Sequence, residues 1–389
     1  MRARLLPLLA LLAPVACDNT SIGQATATFR DSAGVAIVEN GPPDRVPTVA
    51  VADSDLILEI GGATDDVTRQ LFRVEGAQVL SDGRMVVANG GSNELRYFDP
   101  DGSFLGAVGR EGDGPGEFRY IGWATTCGSD SVWAFDIVHH RAEVFDLEGR
   151  YVRSFAFQWP DDQPPYGPAA CWNGVFSVLA FPTLGRRPPP GAFRPFQAVF
   201  TADRDGRPLG VQDTVPGSDR WGHERGSNHA HFGKRSVHTI GPGGVYVGTG
   251  DAPEIRVYAP RNGVRRFIRW QAAQRSVTPQ YIDRLREREF ANARNPNHRR
   301  FLERWFAETV FPAAFPPYDR LTVDALGNLW VREYLAPGDS SDTWVHLRFG
   351  RTPGRTRYPA PRLLAVRGRR RLFDRSMERP ARSRVCSGV

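Results

Sequence analysis

Histidine, arginine and cysteine set the chemical options of this 389-residue chain. His223, His229, His231 and His238 fall in one short segment with Glu224. Two or three of their ring nitrogens at about 2.0 to 2.1 Å from one ion would form a zinc site. His229 and His231, two apart, would share one face of an extended strand. No defined zinc spacing is matched, so the segment is read as a polar loop, and no metal or cofactor is assigned. The cations form a second set: Arg73 follows Phe72, Arg119 follows Phe118, and Lys234 and Arg235 lie just beyond Phe232, with His231 before it. If they converge, Arg73, Arg119, His231, Lys234 and Arg235 make a positive field for an anionic ligand. The competing reading pairs each Arg with a nearby carboxylate such as Glu75 or Asp319. For covalent chemistry there is no G-x-S-x-G, and Cys127 and Cys171 sit in strand-like text without a basic partner.

The elements that position these residues show as repeats. Leu71-Phe72-Arg73-Val74-Glu75-Gly76 returns as Glu117-Phe118-Arg119-Tyr120-Ile121-Gly122, and Tyr97-Phe98-Asp99-Pro100-Asp101-Gly102 returns as Val144-Phe145-Asp146-Leu147-Glu148-Gly149. A spacing of roughly 46 residues, filled with short apolar strands and Gly/Asp turns, is the period of a four-stranded propeller blade. Repeat one holds strands at Ala77–Leu80, Met85–Ala88, Glu94–Phe98 and Ser103–Val108, with hairpin turns at Asp82-Gly83 and Asp101-Gly102. Repeat two holds Ser131–Phe135 and Ala142–Asp146, repeat three Val175–Leu179 and Gln197–Phe200, repeat four Gly244–Gly248 and Glu254–Tyr258, and repeat five Leu321–Asp324 and Gly327–Val331. Pro182–Pro195 is expected to be loop throughout, since Pro cannot donate to a ladder.

Gly114-Pro115-Gly116-Glu117-Phe118 between repeats, Asp82-Gly83 before an apolar strand, and Tyr97-Phe98-Asp99 with Asp101-Gly102 resemble the NHL-repeat family of six-bladed, TolB-like propellers, closely over Leu71–Phe157. The chain as a whole is similar to the exported propeller lipoproteins of bacteria. The resemblance implies an all-β, six-bladed β-propeller over residues 33–346, with innermost strands around a central channel and ligands at one mouth. The five cationic candidates would then line that mouth, and His139-His140 would fill a structural turn. Some six-bladed propellers are lactonases or lyases with a central divalent ion. Glu75, Asp251, Asp319 and Asp324 are the carboxylates such a metal-dependent hydrolase or lyase would use, though no motif ties them together.

Several departures shape the expected domain. Thr278-Pro279 is a helix start, and Tyr281, Ile282 and Leu285 share a face, as do Phe301, Leu302, Trp305 and Phe306. This predicts a helical insertion at about 278–310, between the fourth and fifth repeats, whose aromatic stripe either meets a partner or packs the insertion down. Ala33–Glu39 is assigned to the sixth blade as a closing strand. Residues 347–389 are an atypical tail without sustained alternation, which leaves that blade incomplete. Equivalent points of adjacent blades usually lie beyond the 7 Å Cα limit for a disulfide, so Cys127 and Cys171 are expected to stay unlinked.

Arg2 and Arg4 precede an apolar run from Leu5 to Val15, too short to span a bilayer and laid out as a signal peptide, residues 1–17. Val15-Ala16-Cys17 resembles a lipobox, so Cys17 is the expected lipidation site and 18–32 a tether. Two or three acyl chains would hold the protein on a bacterial membrane, on its extracytoplasmic side. The formal charge of +7 does not indicate nucleic acid: Leu347–Val389 carries 13 Arg against Asp374 and Glu378, which leaves residues 1–346 at −4. The expected function is therefore a ligand- or protein-binding module taking a small anion or a protein partner, with the hydrolase or lyase as the alternative.

Overall fold

The computed structural model describes residues 27–41, 58–61, 66–128, 131–158, 165–180, 188–223, 226–259, 263–324, 327–339, 343–347, 363–367 and 384–386. The expected signal peptide, Cys17 and Glu224 lie outside them, as does most of the Arg-rich tail. The chain is mostly β, with multiple four-stranded antiparallel sheets, an arrangement consistent with a β-propeller.

An N-terminal hairpin, β1 (Thr28–Ser32) and β2 (Val35–Asn40), and a short strand β3 (Leu58–Gly61) come first. The first four-stranded sheet is β4 (Val74–Val79), β5 (Met85–Asn89), β6 (Glu94–Phe98) and β7 (Phe104–Val108). The second is β8 (Ile121–Thr126), β9 (Ser131–Asp136), β10 (Arg141–Asp146) and β11 (Tyr151–Ala156). The third takes β12 (Pro165–Trp172), β13 (Val175–Ala180), β15 (Phe196–Ala202) and β16 (Pro208–Pro216). Between them, β14 (Gly191–Phe193) leaves to pair with β17 (Arg220–His223), which pairs in turn with β18 (Gly226–His229). The fourth runs through β19 (Val237–Gly241), β20 (Gly244–Gly248), β21 (Glu254–Tyr258) and β22 (Val264–Trp270). Helices α1 (Pro279–Ala291) and α2 (Pro296–Glu308) precede a three-stranded sheet, β23 (Tyr318–Val323), β24 (Leu329–Glu333) and β25 (Trp344–Leu347). Two strands of the basic tail, β26 (Leu363–Arg367) and β27 (Arg384–Cys386), pair with each other, and β26 pairs in parallel with β3.

Period-two alternation explains why the sheets stack. All five residues of β5 are buried. Met85 and Val87 join a core with Ile60 and Leu71, while Val86 and Ala88 face the second sheet's Ile121, Val132 and Ala134. In β9, Val132 and Ala134 look back to the first sheet, and Trp133 and Phe135 look forward to Phe176 and Val178 of the third. In β20, Val245 and Val247 meet Leu179 and Val199, and Tyr246 meets Leu321 and Val331. The second strands of the first four sheets thus feed two cores through opposite faces. Burying each of these large side chains is worth roughly 1.5–3 kcal/mol.

Four expectations are corrected. Cys127 and Cys171 form a disulfide with Cα atoms 5.2 Å apart. They follow or belong to the innermost strands β8 and β12, which touch where adjacent sheets converge, so the 7 Å limit is met. The Ala33–Glu39 segment does not close a sixth blade: β2 pairs in parallel with β22, from Ala36↔Arg266 to Asn40↔Trp270, and so covers the outer edge of the fourth sheet. Asn40 Nδ2 donates to Arg269 O (3.2 Å) and Arg269 meets Glu39 (3.5 Å), which fastens it there. Within Pro182–Pro195, Gly191, Ala192 and Phe193 keep their amides and make the edge strand β14. In the tail, Leu363-Leu364-Ala365-Val366 lacks alternation, yet a short continuous apolar run also makes a strand.

The helices form as the spacing predicts. Thr278 is the N-cap of α1 with Pro279 at N1, and the Asn295 side chain caps α2 by accepting from His298 N at 2.9 Å. Leu285, Leu302, Trp305 and Phe306 pack with Phe232, Phe315 and Ala336. The aromatic stripe thus packs the helices against the segments before β19, before β23 and after β24. No helix among the described residues is long and apolar enough to cross a membrane.

Candidate functional site

Backbone pairing decides which residues of the first two sheets correspond. Val74 pairs with Asn89 and Ile121 with Asp136, each followed by a bulge before Gly76↔Ala88 and Trp123↔Phe135. Gly90 N donates to Arg73 O (2.9 Å) as Ile137 N donates to Tyr120 O (3.0 Å). The offset is therefore 47 residues, and Arg73 corresponds to Tyr120 while Arg119 corresponds to Phe72. This corrects the expected equivalence of Arg73 and Arg119 by one residue. The Phe-Arg likeness misleads because the buried anchor is Leu71 in one repeat and Phe118 in the other.

Arg73 opens β4 in a left-handed conformation, φ 50°. Its guanidinium carbon lies 4.0 Å from the centroid of the Tyr120 ring, at the head of β8. One Nη donates to Gly90 O, and Nε stands 3.4 Å from Glu75 Oε1, an ion-pair distance without hydrogen-bond geometry. Arg119 turns away to Asp113, with Nε and Nη2 donating to its two oxygens at 2.6 and 2.5 Å. That fork holds the Asp113 carboxyl below the usual carboxylate range. His139 sits between carboxylates: Nδ1 is 2.9 Å from the buried Asp136 and Nε2 is 3.0 Å from Asp113. Asp136 also accepts from Arg119 N (2.7 Å), Val138 N (2.9 Å) and His139 N (3.2 Å), which gives this turn a structural duty.

The charged strand pairs of the two repeats are reversed copies. Glu94 and Arg96 on β6 correspond to Arg141 and Glu143 on β10. In both, the Arg gathers carbonyls of the preceding linker. Arg96 donates to Val67, Thr68 and Gln70, and Arg141 to Asp113, Gly114 and Glu117. Burial pushes the Glu143 carboxyl up against the pull of Arg141.

At the head of β19, Lys234 Nζ donates to Asp251 (2.8 Å), which also receives Arg194 Nη1 at 2.8 Å. Burial raises the Asp251 carboxyl, but these cations and the Thr249 hydroxyl outweigh it, and the group stays below the usual range. Arg235, next in the chain, is exposed, with no ion pair or hydrogen bond among the described residues. Its charge acts on His231, whose imidazole burial holds down to about 4, and on Tyr334, whose hydroxyl burial pushes up to about 12. Tyr318, first in β23, accepts from Gly250 N (3.1 Å) and donates to Glu254 O (3.0 Å), so the heads of β19 and β23 adjoin. His231, Lys234 and Arg235 thus lie just before β19, while Arg73 and Arg119 lie just before β4 and β8 and face different partners.

The other His candidates are dispersed. His223 packs on Phe301 (5.9 Å between centroids), and His238 Nδ1 meets Ser177 Oγ at 2.6 Å. Burial pushes the His238 imidazole down to about 3. Among the described residues no group of three or more His, Cys, Asp or Glu side chains could hold a metal ion. The carboxylates considered for one are engaged elsewhere. Glu75 faces Arg73, Asp251 faces Lys234 and Arg194, Asp319 takes the Arg332 fork at 2.7 and 3.0 Å, and Asp324 binds Asn328 and Trp330. Tyr120 escaped the sequence reading, although the Phe98-to-Phe145 spacing already implied the correct offset.

No family model matches the chain, and no curated protein matches it. Among solved structures, a candidate exported protein from Bacteroides fragilis is similar at a TM-score of 0.41 and 12% identity, covering 77% of this chain and 74% of its own. A catalytically inactive virginiamycin B lyase from Staphylococcus aureus with quinupristin follows at 0.34 and 11%, covering 75% and 73%. A glutaminyl cyclase from Myxococcus xanthus gives 0.30 and 12%, covering 71% and 89%. At such TM-scores these likenesses carry no argument about what this chain does.

Proposed function

We propose that this protein is an exported, lipid-anchored six-bladed propeller of the NHL-like kind that binds a small anionic ligand at the mouth of its central channel. The observation that carries the binding reading is Arg235. It is an exposed guanidinium at the head of an innermost strand, without an acidic partner among the described residues, in a protein that pairs Arg119, Arg194, Arg332 and Lys234 with carboxylates. An unneutralised cation beside neutral His231 and the aromatic helices is suited to an anion. Arg73, by contrast, is stacked on Tyr120 and already faces Glu75.

Six blades follow if the β3–β26–β27 sheet is the sixth, since its Ile60 packs on the first sheet and the other sheets pack in chain order. Export is supported by the Cys127–Cys171 disulfide, a bond that persists in oxidising compartments. The acyl anchor rests on Cys17 after its apolar run.

The test is thermal unfolding and titration calorimetry of the mature chain against phosphate, sulfate and mono-, di- and tricarboxylates. At least one anion raises the melting temperature saturably, and Arg235→Ala removes most of that gain while leaving the unliganded melting temperature unchanged. Absence of stabilisation by every anion, or a gain that Arg235→Ala leaves intact, overturns the reading.

A further inference from the structure

We propose that the helical cap contains a site for a short-chain monocarboxylate, built on the Trp305 indole N–H, the Thr309 hydroxyl and the His231 imidazole, with Arg235 at its entrance. This rests on the anion-binding reading and names the ligand class and a second contact region for it.

Trp305 is 6% exposed, and its Nε1 is buried without a hydrogen-bond partner. Buried indole N–H groups ordinarily find an acceptor. In this chain Trp133 Nε1 donates to Ser131 Oγ at 2.8 Å, and Trp330 Nε1 donates to Asp324 at 2.9 Å. One turn after Trp305, Thr309 Oγ1 is likewise buried and unpartnered, while Thr309 N donates to Trp305 O at 2.9 Å. Thr309 is the C-cap of α2, so the two orphans lie four residues apart at the end of that helix. The His231 ring meets the Trp305 indole edge-on, centroids 4.8 Å apart.

The donor set defines the ligand. An indole N–H and a guanidinium only donate, and a hydroxyl and a neutral imidazole can each donate once. Such a set is complete when it surrounds an acceptor-only anion. Phe306 and Phe311, at 4.7 and 6.3 Å from Trp305 between ring centroids, suit a short alkyl body, and the buried Glu289, whose charge also reaches His231, is neutralised by Arg288 at 2.9 and 3.1 Å. A carboxylate with a short hydrocarbon tail fits both requirements. The shielding of the indole, hydroxyl and imidazole from solvent strengthens each hydrogen bond they make to it.

The experiment follows the Trp305 indole proton by NMR in full-length mature protein labelled with 15N-tryptophan, the resonance being assigned by Trp305→Phe. Sodium butyrate is the probe, and sodium chloride at equal ionic strength is the control. A saturable downfield shift with butyrate alone is expected, needing about tenfold more butyrate in Arg235→Ala, as for loss of one charge-assisted hydrogen bond. Thr309→Val, of the same shape, weakens binding with the Trp305 signal still visible, and so serves if Trp305→Phe does not fold. An unmoved resonance, or a shift that chloride reproduces, overturns the site. If calorimetry still detects anion binding while the resonance stays fixed, the cap site is wrong and the mouth reading stands. If neither responds to any anion, both are wrong.

Discussion

Arg73 and Tyr120 occupy the same position of successive repeats and meet across the two innermost strands, guanidinium to ring face at 4.0 Å. The first strands of adjacent sheets touch, so residues one repeat apart become neighbours, and the pair ties the head of β4 to the head of β8. A double-mutant cycle with Arg73→Ala and Tyr120→Leu, read by urea unfolding, is expected to give a coupling of about 0.5–1 kcal/mol, the range for a half-exposed cation–π pair. Additive single mutants would show that the stack contributes nothing.

Cys127–Cys171 closes a loop of sequence separation 44 between adjacent sheets. Chain-entropy reasoning makes the bond worth roughly 4 kcal/mol through the unfolded state. Both thiols should resist alkylation under native, non-reducing conditions, and Cys127→Ser with Cys171→Ser should lower the unfolding free energy by about 2–4 kcal/mol. Free thiols by mass spectrometry in the oxidised protein would refute the link.

His231 and His238 impose a pH dependence. Burial depresses both imidazoles, to about 4 and about 3, so below the ordinary value of 6.5 the unfolded chain takes up protons that the folded chain refuses. Stability is therefore complete above pH 6.5 and declines as pH falls toward 4 and 3, by about 1.4 kcal/mol per unit of depression for each ring. His231→Phe should flatten the upper part of that acid limb in melting curves taken from pH 7 to 4. An unchanged slope would mean that His231 stays hydrated.

The β1–β2 hairpin shields β22, whose edge would otherwise present unpaired amides and carbonyls. Deleting residues 1–41 should leave the fourth sheet folded but prone to edge-to-edge association, visible as a concentration-dependent rise in light scattering. A monodisperse truncated protein would assign the hairpin no protective role.

Strands and turns were legible because their causes are local. Met85–Asn89 must alternate between two cores, and Asp82-Gly83 turns where Gly83 adopts φ 87°. Thr278-Pro279 and the Leu302–Phe306 stripe likewise carried their helices in their spacing. The repeat itself named the architecture, yet its register was one residue off at Arg73, because side-chain likeness does not see a bulge.

What tertiary structure alone decided is which distant residues meet. β2 could have paired with any open edge, and its parallel seat on β22 depends on Asn40 and Glu39 finding Arg269 some 229 and 230 residues away. Cys127 reaches Cys171 because innermost strands converge, a property of the assembled sheets and of neither repeat alone. The same holds for charge: residue type made Arg119, Lys234 and Arg235 equal candidates, and long-range packing gave Asp113 to the first, Asp251 to the second and no acid to the third among the described residues. Alternation is written within a few neighbouring residues. Partnership is an energy between surfaces that exist only after the chain has folded.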